Sequence, residues 1–412
     1  MMSATAQPGF NVEQIRRDFP VLDQQVRGRR LAYLDNAATT QKPLAVLGAL
    51  DHYYRHDNAN VHRGLHTLAE RATERYEAAR DRLATFVNAR DRREVVWTRG
   101  TTEAINLVAQ CFAQTELQPG NAVLISELEH HSNIVPWQLA CERSGATLRW
   151  LPLADDGTLD LSDLDQLLDG VKLVAVAACS NALGTMHPVR QLVDAAHAVG
   201  AAILIDAAQA TVHQRMDVQA WDADFVALSG HKAYGPTGIG ALIGRAEWLD
   251  RLAPWHGGGE MIETVTLAGS TWNELPYKFE AGTPNIAGAI GLAAAIDWFD
   301  SLDHSALLTH EQQLLAQATD GLQHIPGLQL IGTAAHKAPI VSFVIDGVHP
   351  QDLATLIDQS GVAVRTGHHC AMPTMARFGI PGSVRASMAC YNSTEDIQQL
   401  IAATETAAEI LR

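Results

Sequence analysis

The sequence predicts an α/β protein: a large domain on a mostly parallel sheet, joined to a smaller α+β domain. Three observations carry this reading. From about residue 95 to 245, short apolar runs alternate with helical patterns. After about residue 285 the rhythm changes to two long helices followed by mixed strands and helices. The chain has 412 residues, 47% of them hydrophobic, enough for a large core and two or three domains.

Taken in order, roughly the first 35 residues hold too little core to fold alone, and they are expected to pack on the smaller domain. The large domain is placed at residues 36–290, and the smaller at 1–35 together with 291–412. Apolar strands are expected at 122–126, 172–178, 202–206, 224–228 and 239–243, with amphipathic helix such as 189–199 between several of them. Continuous apolar runs suit strands covered on both faces. The last follows a glycine-rich turn and is free to run against the others. Beyond it come helices near 285–302 and 305–322, strands at 339–345, 362–366 and 383–388, a helix near 351–359 and a terminal helix from Thr394. There is no internal repeat and no low-complexity linker.

Charge narrows the function classes. Against 30 Lys and Arg stand 46 Asp and Glu, a formal charge of −16. Such a surface repels phosphate backbones and anionic lipid heads, so neither nucleic acid nor membrane is an expected partner. A small anionic or zwitterionic substrate then needs a local basic group. The longest near-apolar stretch, 286–296, is about half of the roughly 20 residues that cross a bilayer. The start, MMSATAQPGF, has neither a basic leader nor an apolar signal core. Cys111, Cys141, Cys179, Cys370 and Cys390 are scattered and odd in number. That pattern suits a reducing cytoplasm and leaves at least one thiol free.

Ligands in open α/β sheets sit outside the carboxyl ends of the strands, so residues just after each run carry the interest. Gly100, Thr101, Thr102 and Glu103 open a helix and offer a phosphate seat, a signal that is weak alone because ordinary threonine N-capping also explains it. After the strand at 122–126 come His130 and His131; an imidazole there can stack on an aromatic cofactor or carry protons. A metal pair and plain surface histidines are the alternatives, and no third ligand stands at a familiar spacing. Asp206 closes an apolar strand, a costly place for a carboxylate unless it is paired, for instance with a pyridinium N–H. Capping a following helix is its bland role. Lys232, in Ser229-Gly230-His231-Lys232, lies on a tight turn where lost solvent would make it an imine-forming nucleophile. A solvated loop lysine is the alternative.

One ligand needs all four features: pyridoxal phosphate (PLP). The 26 residues between Asp206 and Lys232 are one strand–connection–strand step, which places both at neighbouring strand ends. Cys370, in Arg365-Thr366-Gly367-His368-His369-Cys370, ends a later strand among polar neighbours; nearby cations raise a thiol's thiolate fraction. The other cysteines read as core filler, and a zinc reading of His-His-Cys lacks further spaced ligands. No metal is expected. Arg385 interrupts an apolar strand and suits bidentate capture of an amino-acid carboxylate, against the alternative of an edge salt bridge.

Eight stretches together resemble a known family: LAYLDNAATTQKP (31–43), NVHRGLHTL (60–68), TRGTTEAIN (98–106), EHHSNIVPW (129–137), IDAAQA (205–210), SGHKAYGPTGIG (229–240), FEAGTPN (279–285) and RTGHHCAMP (365–373). The chain is similar to class V aminotransferase-fold cysteine desulfurases, specifically the Suf-type (group II) branch that also holds selenocysteine lyases. The resemblance implies the PLP-dependent transferase fold of type I with a seven-stranded sheet, and a homodimer. It implies that Lys232 carries PLP and moves protons, that Asp206 pairs with the ring nitrogen and Gln209 with the ring oxygen, and that His130 stacks on the ring. Thr102, Ser229 and His231 would hold the phosphate, joined by Thr283 of the other subunit. Asn181 and Arg385 would bind the substrate carboxylate, Cys370 would attack the substrate sulfur, and His62 and Arg63 would lie near the mouth. L-Cysteine is the implied substrate, with L-selenocysteine a second one the branch accepts; a Suf-type acceptor protein in iron–sulfur cluster assembly is the implied partner. Two rival readings are another PLP enzyme on this scaffold, opposed by Cys370, and a non-catalytic sulfur-relay scaffold, opposed by intact Lys232, Asp206 and Arg385.

Overall fold

The computed structural model describes residues 10–412; residues 1–9, most of the MMSATAQPGF stretch and the beginning of the N-terminal segment, lie outside the described residues. Seven strands form the main sheet: β1 Val95–Thr98, β2 Ala122–Ser126, β3 Thr147–Leu151, β4 Val171–Ala177, β5 Ala202–Asp206, β6 Phe225–Ser229 and β7 Gly240–Gly244. Their order is β1-β7-β6-β5-β4-β2-β3. All run parallel except β7, which opposes both of its neighbours. The expected α/β class with a mostly parallel seven-stranded sheet is what the chain adopts.

Every residue of β2, β5, β6 and β7 is buried. Alternate side chains enter two cores, one on each face: Leu124, Ile203 and Ile205 on one side, Val123, Ile125 and Leu204 on the other. Edge strand β3 lacked a clear apolar run because only Leu151 of its five residues is buried. The hairpin Ile262–Thr266 with Gly269–Trp272 was equally silent, being exposed almost throughout.

The smaller sheet contains β8 Leu328–Ile331, β9 Ile340–Ile345, β10 Arg365–Gly367 and β11 Ser383–Ser387, in the order β8-β9-β11-β10 with every pair antiparallel. The run 362–366, expected as one strand, is divided. Val362 and Ala363 pair with Ala32 and Tyr33; after Val364 the chain changes sheets to join β11. That switch carries the following loop away from its own core and toward the main sheet. Helix Ile286–Asp300 is buried on most of its surface. Phe19 of the N-terminal segment meets Tyr234, Trp298 and Tyr391 at centroid distances of 6.1, 5.1 and 4.6 Å, so it touches both parts of the molecule. Among the described residues no helix is long and apolar enough to cross a membrane.

Candidate active site

A cavity of about 510 Å³ opens at the carboxyl ends of the parallel strands, with Arg385 and Cys370 of the smaller part forming its opposite wall. Thr102, His130, Asn181, Asp206, Gln209, Ser229, His231 and Lys232 all line it. Asp206 ends β5, and Lys232 closes the short turn Gly230–Lys232 after the adjacent strand β6. Two glycines bring the helix Thr101–Thr115 close enough to share this space. Gly100 adopts φ +149°, where a Cβ would lie 3.0 Å from Ser229 Oγ, and a Cβ on Gly240 would lie 2.5 Å from Gly100 Cα. Ser229 Oγ accepts from Thr101 N at 2.8 Å and donates to Thr101 Oγ1 at 2.9 Å. A helix N-terminus with hydroxyls beside it suits an anionic phosphate.

The Lys232 turn is held from outside by residues 39–42. The carbonyl of His231 accepts from Thr40 N (3.1 Å), Thr39 Oγ1 (3.1 Å), Thr40 Oγ1 (3.2 Å) and Lys42 Nζ (2.9 Å). Tyr234 N donates to Thr40 Oγ1 at 2.9 Å on the far side of the lysine. Sequence reading quoted this stretch but assigned it no role; its signal is two adjacent hydroxyls and a lysine closed by Pro43. Burial lowers Lys232 to about 8, against the pull of Asp206, so about a tenth of it is neutral amine at pH 7, far more than for an ordinary lysine. Burial also raises the Asp206 carboxyl above its ordinary range, while the N–H of Ala208 (2.9 Å) and the charge of Lys232 oppose the rise. A buried carboxylate with one backbone donor has room for a cationic partner.

His130 Nδ1 accepts the backbone N–H of Ser132 at 3.1 Å. Because that group can only donate, the ring proton sits on Nε2. Burial, helped by Lys232, lowers the ring to about 3, so it is neutral in the physiological range. Behind it Glu129 is buried and raised by burial to about 7; it accepts from Ser126 Oγ (2.5 Å), Asn133 Nδ2 (2.7 Å) and Ala177 N (3.1 Å). Glu129 thus fastens the loop that presents His130, a role the sequence did not reveal.

Arg385 stands on β11, an inner strand rather than an edge, and is 2% exposed. It donates to Asn181 O at 2.7 Å and to Asp35 Oδ1 at 3.3 Å, and its Nε has no protein partner among the described residues. Asp35 also receives Arg365 through Nε and a terminal nitrogen, each at 3.1 Å. One carboxylate between two guanidiniums leaves a positive charge beside the cavity. Burial lowers Arg385 only to about 10, so it stays cationic at neutral pH. This is the local basic group that an acidic protein needs to hold a carboxylate.

Cys370 is exposed, whereas the other four cysteines are buried, and all five are free thiols. His369 and Cys370 have φ of 50° and 54°. Two successive non-glycine residues in the left-handed region cost roughly 1 kcal/mol or more each. The loop is held there by His131 N to Cys370 O (2.7 Å), Asn181 Nδ2 to His369 O (2.6 Å) and Cys370 N to His368 Nδ1 (3.0 Å).

Thr283, expected from the other subunit, and His62 and Arg63, expected near the mouth, do not line this chain's cavity. Thr283 lines a second cavity with Arg99 and Gly238. His62 bridges Glu77 (2.8 Å) and Glu260 (2.9 Å), and Arg63 pairs with Glu260 at 3.3 Å; neither lines the main cavity. Within it, the buried carboxylate, the low-pKa amine, the neutral imidazole and the hydroxyl-rich helix start fit a phosphorylated pyridine aldehyde, PLP.

The aminotransferase class-V family model matches residues 32–400. A probable cysteine desulfurase of Vibrio cholerae is 50% identical over 403 residues, covering 98% of this chain and all of that protein. A cysteine desulfurase of Klebsiella pneumoniae is also 50% identical, over 98% of this chain and 99% of its own. Among solved structures, the Escherichia coli cysteine desulfurase CsdA in an S-sulfonic acid form superposes with a TM-score of 0.91 at 41% identity, covering 98% of this chain and 100% of that one.

Proposed function

Since the chain belongs to the class V aminotransferases and among them to the cysteine desulfurases, which use PLP, we propose that it moves sulfur from L-cysteine onto Cys370 and releases L-alanine. The observation that carries this reading is one cavity walled by Lys232 and Asp206 on one side and by Cys370 on the other. Lys232, Asp206, Gln209, Thr102, Ser229 and His231 would hold the cofactor, with His130 over its ring. Bound there, PLP supplies an electron sink conjugated to the substrate amine.

The protein's own groups do the rest. Arg385 and Asn181 hold the substrate carboxylate, which orients the side-chain sulfur toward Cys370. Lys232 Nζ, as a free amine, would accept the Cα proton. Cys370 Sγ, as thiolate, attacks the substrate sulfur. An S–S bond forms, the substrate C–S bond breaks, and its electron pair returns to the carbon skeleton. Protonation at Cβ and return of the Lys232 proton to Cα complete alanine, and Cys370 keeps a persulfide. His130 bears a proton on Nε2 and is placed to exchange it during these steps.

The finer reading is a Suf-type enzyme of the cytoplasm that passes this sulfur to an acceptor protein for iron–sulfur cluster assembly and accepts L-selenocysteine as a second substrate. The exposed position of Cys370 on a short loop supports delivery to a docked acceptor. Thr283 lies outside its own chain's cavity, which supports a homodimer in which it reaches the partner's phosphate seat. The deciding test is Cys370→Ala: it retains the cofactor's absorption and loses alanine production from cysteine in the presence of reductant. Wild-type alanine production by this variant refutes the assignment.

A further inference from the structure

We propose that His131, His368 and Cys370 form a reversible site for a thiophilic divalent cation such as Zn²⁺, and that its occupancy silences the nucleophile. The two histidines come from separate motifs, one after β2 and the other after β10, so no spacing in the sequence joins them. The fold does. One ligand atom from each of the three residues lies within 4.8 Å of the others. A tetrahedral ion with bonds of about 2.0–2.3 Å holds its ligand atoms roughly 3.5 Å apart. The closure needed, about 1 Å, is within reach of an exposed thiol and two partly exposed rings.

The three residues are already joined by hydrogen bonds, and an ion bound through the two rings displaces the backbone donors that now occupy each ring's one lone pair. Met372 N donates to His131 Nε2 at 3.2 Å, Cys370 N to His368 Nδ1 at 3.0 Å, and His131 N to Cys370 O at 2.7 Å. These bonds tie all three ligands into one loop-to-loop junction, with ring centroids of the histidines 5.4 Å apart. Two imidazoles and a thiolate are the donor set of zinc, and three protein ligands leave a fourth position for water or a substrate thiolate. The charge of −16 draws cations toward the surface.

On binding, the Cys370 S–H bond breaks, an S–metal bond forms, and the proton passes to the buffer; nothing is oxidised or reduced. The bound sulfur is no longer free to attack substrate sulfur, so desulfuration stops until the ion is withdrawn.

The test uses the purified holoenzyme, titrated with Zn²⁺ against a chromophoric chelator and in parallel with Co²⁺, whose ligand-field bands lie to the red of the cofactor's absorption. The expected result is one ion per chain, a tetrahedral thiolate–cobalt spectrum, and loss of alanine production that EDTA reverses. His368→Asn keeps an acceptor for Cys370 N, and His131→Gln keeps one for Met372 N. Each weakens ion binding about tenfold or more while the cofactor's absorption is retained. Cys370→Ser abolishes the thiolate–cobalt band. Wild-type affinity in both histidine variants reduces the site to a lone thiol and overturns the proposal. So does full binding by Cys370→Ser, or no binding at micromolar Zn²⁺. Ion binding is read without turnover, so this result stands apart from the fate of the desulfuration reading.

Discussion

The turn that carries Lys232 and the loop that carries Cys370 face one cavity but are built in opposite ways. The first continues a central, fully buried strand, and four donors from residues 39–42 converge on the carbonyl just before the lysine. The second follows a three-residue strand of the smaller sheet, holds two residues in the left-handed region and leaves its sulfur exposed. An amine that must lose solvent to react has to be immobile and dry. On the proposed route, a sulfur that must meet a buried substrate and then an external acceptor has to remain at the rim. The contrast shows how one reaction divides between rigid sheet and strained loop.

Removing the lysine should have the largest effect. Lys232→Ala leaves the cavity without its amine, and alanine formation from cysteine falls by roughly a thousandfold, within the range expected when a positioned proton acceptor is lost. The imine absorption of the bound cofactor disappears with it. A variant within tenfold of wild type, or one with an unchanged absorption band, would break the comparison at its buried end. The clamp behind the lysine is a smaller matter, because three donors remain when one is removed. Lys42→Met deletes a single donor to the His231 carbonyl and lowers kcat about tenfold at most, with KM and cofactor absorption retained. Unchanged kcat would show that Thr39 and Thr40 fix the turn by themselves.

The same contrast explains what could be read in advance. The inner parallel strands were legible because each is a nearly unbroken apolar run, and strand ends then pointed to Asp206, Ser229 and Lys232. β3 and the exposed hairpin were not, since a strand with little to bury writes no apolar run. The split of 362–366 was hidden for a different reason. Val362 and Arg365 belong to different sheets, and a pattern along the chain does not encode which neighbour each half pairs with. Asp35 and Glu129 look like ordinary acids in the sequence; only their placement between Arg365 and Arg385, or behind His130, makes them important. Long-range pairing of polar groups is where residue type says least.

Acid should separate the two regions by the smallest margin, through one histidine in each. Burial, reinforced by Arg385, pushes His369 of the cysteine loop down to about 3; burial and Lys232 push His231 of the lysine turn to about 4. In the unfolded chain an imidazole takes up its proton near pH 6.5. Below that value the unfolded state therefore binds a proton that the folded state refuses. The stability each ring contributes is complete above about pH 6.5 and is lost as pH falls toward its folded value, by at most about 1.4 kcal/mol per pH unit. His369→Gln has no such proton to gain, so its stability falls less steeply than that of wild type between about pH 6.5 and pH 4. For His231→Gln the difference reaches its limit sooner, near pH 4, because that ring protonates in the folded chain earlier. Chemical denaturation at several pH values measures both slopes. Parallel curves for wild type and His369→Gln would mean that the loop admits water and protons freely, and the strained loop would then differ from the turn in exposure alone.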